Sequence, residues 1–208
     1  MGLRDYVVYV VDDDIRMREA LRELFTSLDV SSVTFGSATE YVDYAKPDLP
    51  ACLLLDVDLP DINGLDFQRQ LREADHPPIV FITGHGDIPS SVRAIKDGAV
   101  DFLPKPFSQQ DLMAAVDAAI ADDRHTRLER GERDRLEQRY ASLTPRESEV
   151  LPLIVSGLLN KQAAAELGIS EVTLQIHRSR IMQKMAAESF AELVRMAGRL
   201  NIALERQK

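Results

Sequence analysis

The 208-residue sequence has no tryptophan and only one cysteine, Cys52, which lies in an apolar run. A single cysteine cannot form an internal disulfide, which excludes a disulfide-stabilised secreted domain and favours a reducing compartment. No apolar run approaches the ~20 residues that cross a bilayer, and the start, MGLRDYVVYVV, lacks the basic start and the small-residue cleavage site of a signal peptide. We therefore predict a cytoplasmic protein with no membrane partner.

Basic residues are scarce in the first part of the chain and in slight excess in the second. Through Arg124 there are 11 lysines and arginines against 23 aspartates and glutamates, and after it there are 14 against 11. The total charge of -9 therefore combines an acidic front with a mildly basic rear. This asymmetry suggests two domains with different partners, and duplex DNA is one candidate for the rear domain.

Strand and helix signals alternate through residues 1–123. Apolar, β-branched runs lie at 6–11, 30–35, 51–56, 79–83 and 100–103. Helix-compatible segments lie at 15–28, 37–46, 64–74, 89–98 and 107–123. Three of the strands are continuously apolar, as expected in a parallel sheet that is buried on both faces. We predict an α/β domain with a five-stranded, doubly wound, flavodoxin-like sheet of order 2-1-3-4-5.

Acidic residues follow two strands that this order makes neighbours. Strand one runs into Asp12, Asp13 and Asp14, and strand three ends at Asp56. Ligands bind beyond the carboxyl ends of strands where the winding reverses, here between strands one and three. Carboxylates gathered there repel one another unless a cation intervenes. We predict a site for Mg²⁺, which prefers oxygen ligands; the alternative for the acidic run is a cap on the following helix.

Two further polar residues belong at the same edge of the sheet. Thr83 ends strand four, and Lys105 follows strand five in FLPKPF. An aspartate can accept a phosphoryl group when a metal ion and an ammonium neutralise the transferring oxygens, so Asp56 is the candidate nucleophile. The four histidines lack metal-ligand spacing, and His85 in GHGD is expected to be a loop residue beside this pocket.

Residues 124–142, RHTRLERGERDRLEQRYAS, are dense in arginine and glutamate. We predict a solvated helical linker between a first domain at 1–123 and a second at 143–208. A sparse apolar stripe runs along the linker through Leu128, Leu136, Tyr140 and Leu143. A coiled-coil dimer seam is the alternative interpretation of that stripe, and an exposed connector is favoured over it.

The second domain opens with a helix-start signal. Thr144 at the N-cap, Pro145 at the first helical position and Glu147 at the third form a capping box. Pro152 falls inside this helix, where a proline removes a hydrogen bond and costs about 3 kcal/mol. The sequence therefore predicts a kink or an early break near residues 148–149.

The segments that follow have the pattern of a helix-turn-helix. NKQAAAELGI predicts a short helix that ends at Gly168, and Ser170 caps a longer one, EVTLQIHRSRIMQKM. FAELVRMAGRL supplies a fourth, amphipathic helix. Two helices joined by a short glycine-containing turn within a helical bundle are typical of DNA-binding domains.

The longer helix, residues 171–185, is the predicted recognition helix. Leu174, Ile181 and Met185 form its buried stripe. The residues expected to face a major groove are Val172, Thr173, Gln175, Ile176, Ser179 and Gln183, and those expected at phosphates are Lys161, Arg178, Arg180 and Lys184. Gln175 has the amide that suits a bidentate contact to adenine. Outside a helix-turn-helix, the same pattern would indicate only a solvated helix face.

Taken together, these motifs resemble a known family. VDDD, LLLDVDLPDINGLDF, FITGHGDIPSSVRAIKDGAVDFLPKPF and LTPRESEVLPLIVSGLLNKQAAAELGIS are similar to a two-component response regulator of the FixJ type. Such proteins join a receiver domain to a LuxR/NarL-type DNA-binding domain. The resemblance implies phosphorylation of Asp56 by a sensor histidine kinase, with Mg²⁺ held by Asp13, Asp56 and the backbone carbonyl of Asp58. Asp12 would complete the acidic pocket, and Lys105 would contact the phosphoryl group.

The resemblance also implies how the signal passes on. Thr83 and Phe102 would be the switch pair, and the peptide between Lys105 and Pro106 would be cis, which X-Pro bonds adopt at little cost. Phosphorylation would promote a homodimer that binds promoter DNA and acts on RNA polymerase, in the manner of a transcriptional activator. The protein would assist its own phosphotransfer and dephosphorylation without being an enzyme for other substrates.

Two other functions fit parts of the sequence. LLLDVDLP contains the Asp-x-Asp of haloacid-dehalogenase-like phosphatases, in which Asp56 would be the nucleophile and Asp58 the acid-base. In those enzymes the Asp-x-Asp strand precedes the acidic pair, whereas here it follows, and the helix-turn-helix would be unexplained. The second alternative is a phosphorylated docking protein whose C-terminal helices bind protein and never DNA, against which the basic flank argues mildly.

Overall fold

The computed structural model describes residues 5–71, 76–84 and 88–202. The chain divides into two compact units, Met1–Arg127 and Leu128–Lys208. Among the described helices, none combines the length and the apolar character that a membrane span needs.

Five parallel strands form the sheet of the first unit. They are β1 (Val7–Val11), β2 (Ser31–Phe35), β3 (Ala51–Asp56), β4 (Ile79–Thr83) and β5 (Asp101–Pro104). Each lies within one residue of its predicted bounds. Their order is β2-β1-β3-β4-β5, which confirms the predicted doubly wound α/β fold. Because β1 pairs with both β2 and β3, the winding reverses between β1 and β3, where the acidic residues were expected to meet.

Both faces of the sheet are covered by helices. Side chains on one face of β1 and β3, such as Tyr9 and Leu53, pack into one core cluster, and those on the other face, such as Val8 and Leu54, pack into a second. The strands alternate between two dry faces, which is why their sequences read as continuous apolar runs. Cys52 is fully buried in the second cluster, in keeping with its place in an apolar run.

The helices of the first unit are α1 (Ile15–Ser27), α2 (Ala38–Asp43), α3 (Gly64–Leu71), α4 (Ile88–Lys96) and the start of α5 (Gln109–Ala141). Helix α2 ends earlier than predicted. Pro47 disfavours helical backbone at the residue before it, and Lys46 Nζ donates to the carbonyls of Tyr41 and Tyr44 at 2.8 and 3.3 Å. Residues 72–74, predicted to complete α3, lie outside the described residues, and so does His85.

The second unit is helical. After the end of α5 come α6 (Pro145–Val155), α7 (Asn160–Glu166), α8 (Glu171–Met185) and α9 (Phe190–Arg199). The predicted capping box at Thr144 and Glu147 is present, and Ser170 caps α8. The stripe of Leu174, Ile181 and Met185 is buried, as predicted.

Of the predicted kink or early break near residues 148–149, the early break is wrong, because helix α6 continues through Pro152. The helix runs without interruption from Pro145 to Val155. Leu151 and Leu153, on either side of the proline, are both buried in the core of this unit. Burying such a side chain fully contributes about 1.5–3 kcal/mol, so the two together offset the ~3 kcal/mol cost of the proline.

The apolar stripe of the linker does not form one continuous face. Leu136 and Leu143 are buried in the core of the second unit, and Tyr140 packs against that core. Leu128, at the other end of the stripe, is 69% exposed. The last turns of α5 therefore belong to the folded core of the second unit, and the prediction of an exposed connector is wrong for them. Burial within the chain occupies the surface that a coiled-coil seam would need.

Candidate functional site

Three carboxylates converge at the carboxyl ends of β1 and β3, as the strand order predicts. One oxygen from each of Asp12, Asp13 and Asp56 lies within 4.8 Å of the others. Asp12 is fully buried, Asp56 is nearly so, and Asp13 is exposed. Residues that are 43 positions apart in sequence thus share one pocket that opens to solvent on the side of Asp13.

The three consecutive aspartates after β1 have three different environments. Asp14 is the N-cap of α1 and accepts from the backbone N–H of Arg16 at 2.9 Å, so the capping interpretation holds for this one acid. The N–H of Asp14 itself donates to Asp12 Oδ1 at 2.8 Å, which fixes the Asp12 carboxylate over the pocket. Asp13 is exposed at the rim of the pocket, with a carboxylate oxygen within 4.8 Å of those of Asp12 and Asp56. The acidic run therefore divides between a helix cap and the pocket.

Lys105 is the shared counterion of the two buried carboxylates. Its Nζ donates to Asp12 Oδ2 at 2.7 Å and to Asp56 Oδ2 at 2.6 Å. Burial alone would lower the pKa of Lys105, but the two carboxylates raise it, so the ammonium form is retained. Burial raises the pKa of Asp12, and Lys105 opposes that shift. The lysine backbone is also held, because its N–H donates to the Thr83 carbonyl at 2.7 Å.

The peptide between Lys105 and Pro106 is cis, which confirms the expectation from the family resemblance. Thr83, at the end of β4, is fully buried. Phe102, on β5, is partly buried, and its ring centre lies 6.1 Å from that of Phe81. Phe102 also lines a shallow surface depression with Val92 and Ile95 of α4.

The chemistry of the donor set fits a magnesium ion. Three carboxylates against one ammonium leave net negative charge in a small, partly solvated pocket, and the carboxylate oxygens are ligands of the kind that Mg²⁺ binds. Asp58 follows β3 on the rim, and its backbone N–H donates to Asp56 Oδ1 at 3.1 Å.

Two residues that support this pocket were not assigned roles from the sequence. Arg18 Nη1 donates to the backbone carbonyl of Asp12 at 2.6 Å, which ties the first turns of α1 to the end of β1. Gly64 begins α3 so close to β3 that a Cβ atom there would lie 2.3 Å from the Asp56 carbonyl oxygen. Only glycine fits that approach. The signal for Gly64 was its place in LPDINGLDF; Arg18 had no signal beyond lying one helical turn after Asp14.

The second candidate site is the outward face of α8. Val172 is 68% exposed and Ile176 is 48% exposed, although both are apolar. Gln175, Ser179, Arg180 and Gln183 are exposed as well, and so is Lys161 at the start of α7. Thr173 is half-buried, and its backbone N–H and its hydroxyl both form hydrogen bonds with the Ser170 hydroxyl. This face has the mixture of polar and apolar groups that base edges require.

Two basic residues of the predicted phosphate set have partners inside their own unit. Arg178 Nη1 donates to Asn160 Oδ1 at 3.1 Å, and its guanidinium lies 4.1 Å from the centre of the Phe190 ring. Lys184 Nζ donates to Glu147 Oε2 at 2.6 Å and to the Ser142 carbonyl at 3.1 Å. The spacing of charges along α8 gave no sign of these contacts, because their partners lie on other helices.

Comparison with known families accounts for both parts of the chain. Residues 8–117 match the response regulator receiver domain, and residues 141–197 match the bacterial regulatory proteins of the LuxR family. The chain belongs to the response regulators. It is a receiver joined to a LuxR-family DNA-binding domain, and the FixJ resemblance is confirmed by relatives of that name.

Full-length relatives support the assignment of this response regulator. It is 50% identical to Nodulation protein W of Bradyrhizobium diazoefficiens over 95% of the chain and 87% of that protein. It is 44% identical to the response regulator protein TodT of Pseudomonas putida over 99% of the chain and 91% of that protein. The transcriptional regulatory protein FixJ of Azorhizobium caulinodans is 39% identical over 91% of the chain and 90% of that protein.

Solved structures agree with the receiver and LuxR-type assignment. The response regulator StyR matches with a TM-score of 0.81 at 45% identity, covering 94% of this chain and 99% of that one. Full-length FixJ from B. japonicum matches with a TM-score of 0.54 at 36% identity, covering 94% and 97%. The response regulator is therefore a DNA-binding transcriptional regulator, and the acidic pocket lies in its receiver domain.

Proposed function

We propose that Asp56 accepts a phosphoryl group from a sensor histidine kinase and that this modification switches on promoter binding. The observation that carries the proposal is the ammonium of Lys105 held between Asp12 and Asp56. In the transfer, the N–P bond of the kinase phosphohistidine breaks, and an O–P bond to an Asp56 carboxylate oxygen forms. The nucleophile is buried against a cation, so charge that arrives on the phosphoryl oxygens meets an ammonium that is already in the pocket.

The remaining pocket residues have roles that follow from their positions. Asp13, Asp56 and the backbone carbonyl of Asp58 would hold Mg²⁺, with Asp12 completing the acidic pocket. When bound, the ion neutralises the phosphoryl oxygens and makes the approach to an aspartate tolerable. Lys105 then contacts the phosphoryl group, and the Thr83 hydroxyl offers it a further hydrogen bond. The same groups assist the later hydrolysis of the aspartyl phosphate. This reaction removes the protein's own phosphoryl group and is not turnover of another substrate.

The output step couples the pocket to the surface of α4 and β5. We expect Thr83 to move toward the phosphoryl group and Phe102 to turn into the space that it leaves, reshaping the depression lined by Val92 and Ile95. That surface is the proposed contact of an active homodimer. The dimer would bind promoter DNA and act on RNA polymerase as an activator, in the cytoplasm where the kinase and the promoter meet.

Beryllofluoride with Mg²⁺, which imitates the aspartyl phosphate, is expected to convert the protein from monomer to dimer in sedimentation velocity. Val92→Asp should prevent the shift, because a charge would be buried in the contact between α4 and β5. The matched control is Val42→Asp on α2, which is 56% exposed compared with 46% for Val92 and should dimerise normally. An unchanged sedimentation coefficient for the wild-type protein would contradict phosphorylation-promoted dimerisation.

Promoter recognition is proposed to use the outward face of α8, with Gln175 reading a base and Lys161 and Arg180 binding phosphates. Gln175→Ala is expected to weaken binding to the preferred duplex by about tenfold and to relax base preference at one position. Lys161→Gln should instead reduce the slope of log affinity against log salt concentration by about one. Fluorescence anisotropy on a duplex selected from a random pool measures both. If the wild-type protein shows no salt-sensitive binding, the alternative of a protein-docking C-terminal domain is favoured.

A further inference from the structure

The C-terminal end of α8 is fixed to three other segments of its unit. Lys184 Nζ reaches Glu147 in the first turn of α6 and the Ser142 carbonyl in the turn between α5 and α6. Arg139 Nη1, in the last turn of α5, donates to the Met185 carbonyl at 3.2 Å. That carbonyl belongs to the group at a helix end that has no partner within the helix, and the arginine supplies one. The helix therefore cannot tilt at this end without breaking these contacts.

The Glu147 partner is built into the fold. Its residue is 1% exposed, and the same Oε2 that accepts from Lys184 accepts from the Thr144 backbone N–H at 2.8 Å. Burial alone would raise the pKa of Glu147, but the hydrogen bonds from Lys184 and Thr144 outweigh it and hold the value at about 2. Lys184 thus faces a permanent, buried negative charge. A lysine so placed is held in one conformation and is withdrawn from the groove face.

The middle of α8 is held in a similar way. Arg178 donates to Asn160 at the start of α7 and stacks over Phe190 at the start of α9. Cation–π contact with an aromatic ring and a side-chain hydrogen bond together fix a guanidinium that would otherwise be mobile. Arg180, two positions later in the helix, is exposed. The basic residues of this helix therefore fall into two groups, one facing its scaffold and one facing outward.

We infer that Lys184 and Arg178 are positioning residues that set the angle of the recognition helix on its scaffold, and that they do not contribute phosphate contacts of their own. This inference rests on the proposed DNA-binding function and refines it, because fewer basic residues then contact DNA phosphates than the charge pattern of α8 suggests. Lys161 and Arg180 remain as phosphate ligands. Affinity depends on Lys184 and Arg178 through geometry, which salt does not screen.

Salt dependence separates positioning from phosphate binding, because each phosphate contact adds about one to the slope of log affinity against log salt. The probe is a labelled duplex that the beryllofluoride-activated wild-type protein has selected from a random pool. Lys184→Gln and Arg178→Gln should each weaken binding by about tenfold with the slope unchanged, and should lower the midpoint of thermal unfolding followed by circular dichroism. The matched variant Arg180→Gln should lower the slope by about one and leave the midpoint unchanged.

A double variant distinguishes the loss of one partner of the buried ion pair from simple misfolding. Glu147→Gln combined with Lys184→Gln removes both charges and leaves no buried carboxylate without a partner, so it should recover most of the unfolding midpoint and of the DNA affinity. A slope reduced by about one in Lys184→Gln, at an unchanged midpoint, would overturn the inference. A wild-type protein that binds duplex DNA without salt sensitivity would instead overturn the proposed DNA-binding function.

Discussion

Asp56→Asn is expected to abolish phosphoryl uptake from acetyl phosphate in the presence of Mg²⁺. An amide is a far weaker nucleophile than a carboxylate and cannot form the mixed anhydride that would store the phosphoryl group. The substitution is nearly isosteric, and the single amide oxygen can retain one of the two hydrogen bonds that Asp56 accepts, from the Asp58 N–H at Oδ1 and from Lys105 Nζ at Oδ2. Phosphate-affinity electrophoresis of the treated protein, with and without hydroxylamine, measures the loss directly.

The matched control is Asp58→Asn on the same loop. The proposed role of Asp58 is its backbone carbonyl, and its residue is exposed, so this variant should still be phosphorylated. In the phosphatase alternative, Asp58 would be the acid-base group, and its loss would stop turnover of p-nitrophenyl phosphate. Labelling of Asp56→Asn, or wild-type hydrolysis well beyond one equivalent, would argue for a different acceptor or for that enzyme.

Lys105→Met is expected both to prevent the phosphorylation-induced response and to destabilise the receiver domain. Without the ammonium, the fully buried Asp12 faces Asp56 with no cation between them. Removing one member of a buried pair costs about 3–5 kcal/mol, and partial access to solvent at Asp56 places the expected loss near the lower figure. Urea unfolding followed by circular dichroism measures it, since the chain has no tryptophan for fluorescence.

The pH dependence of the Lys105→Met variant has a definite sign. Burial raises the pKa of Asp12, so the folded state binds a proton more tightly than the unfolded state does. Stability of this variant should therefore rise as pH falls from 7 toward 5, which is opposite to ordinary acid unfolding. The double variant Asp12→Asn with Lys105→Met should recover most of the loss and show little of this dependence. A Lys105→Met protein as stable as the wild type at pH 7 would show that the lysine is not needed to neutralise the pocket.

The receiver fold was predictable because its signals are local. Burial of the sheet on two faces makes β1, β3 and β4 continuously apolar, and the order of right-handed crossovers then brings Asp12 and Asp56 together. The sequence did not show that neighbouring aspartates have different roles. Asp12 is buried and Asp14 caps a helix, although the two are only two residues apart. Which aspartate is buried and which caps the helix depends on the exact residue at which β1 ends.

The DNA-binding domain was less predictable, because its decisive contacts join distant segments. Charge spacing along α8 cannot show that Lys184 meets Glu147 or that Arg178 meets Asn160. Likewise the leucines before the domain read as a linker stripe, yet Leu136 completes the core. Pro152 shows the converse, since a strong local signal for a break was overridden by the packing of its neighbours.

The lysine shared by two acids has a consequence for the resting protein. Before any signal arrives, Asp56 already shares a counterion with Asp12, although the three carboxylates outnumber the single ammonium. A phosphoryl group must compete for that counterion and take it from an existing partner. The free energy of activation is therefore the difference between a state in which Lys105 pairs with Asp12 and Asp56 and a state in which it pairs with the phosphoryl group. The existing pairing stabilises the inactive form.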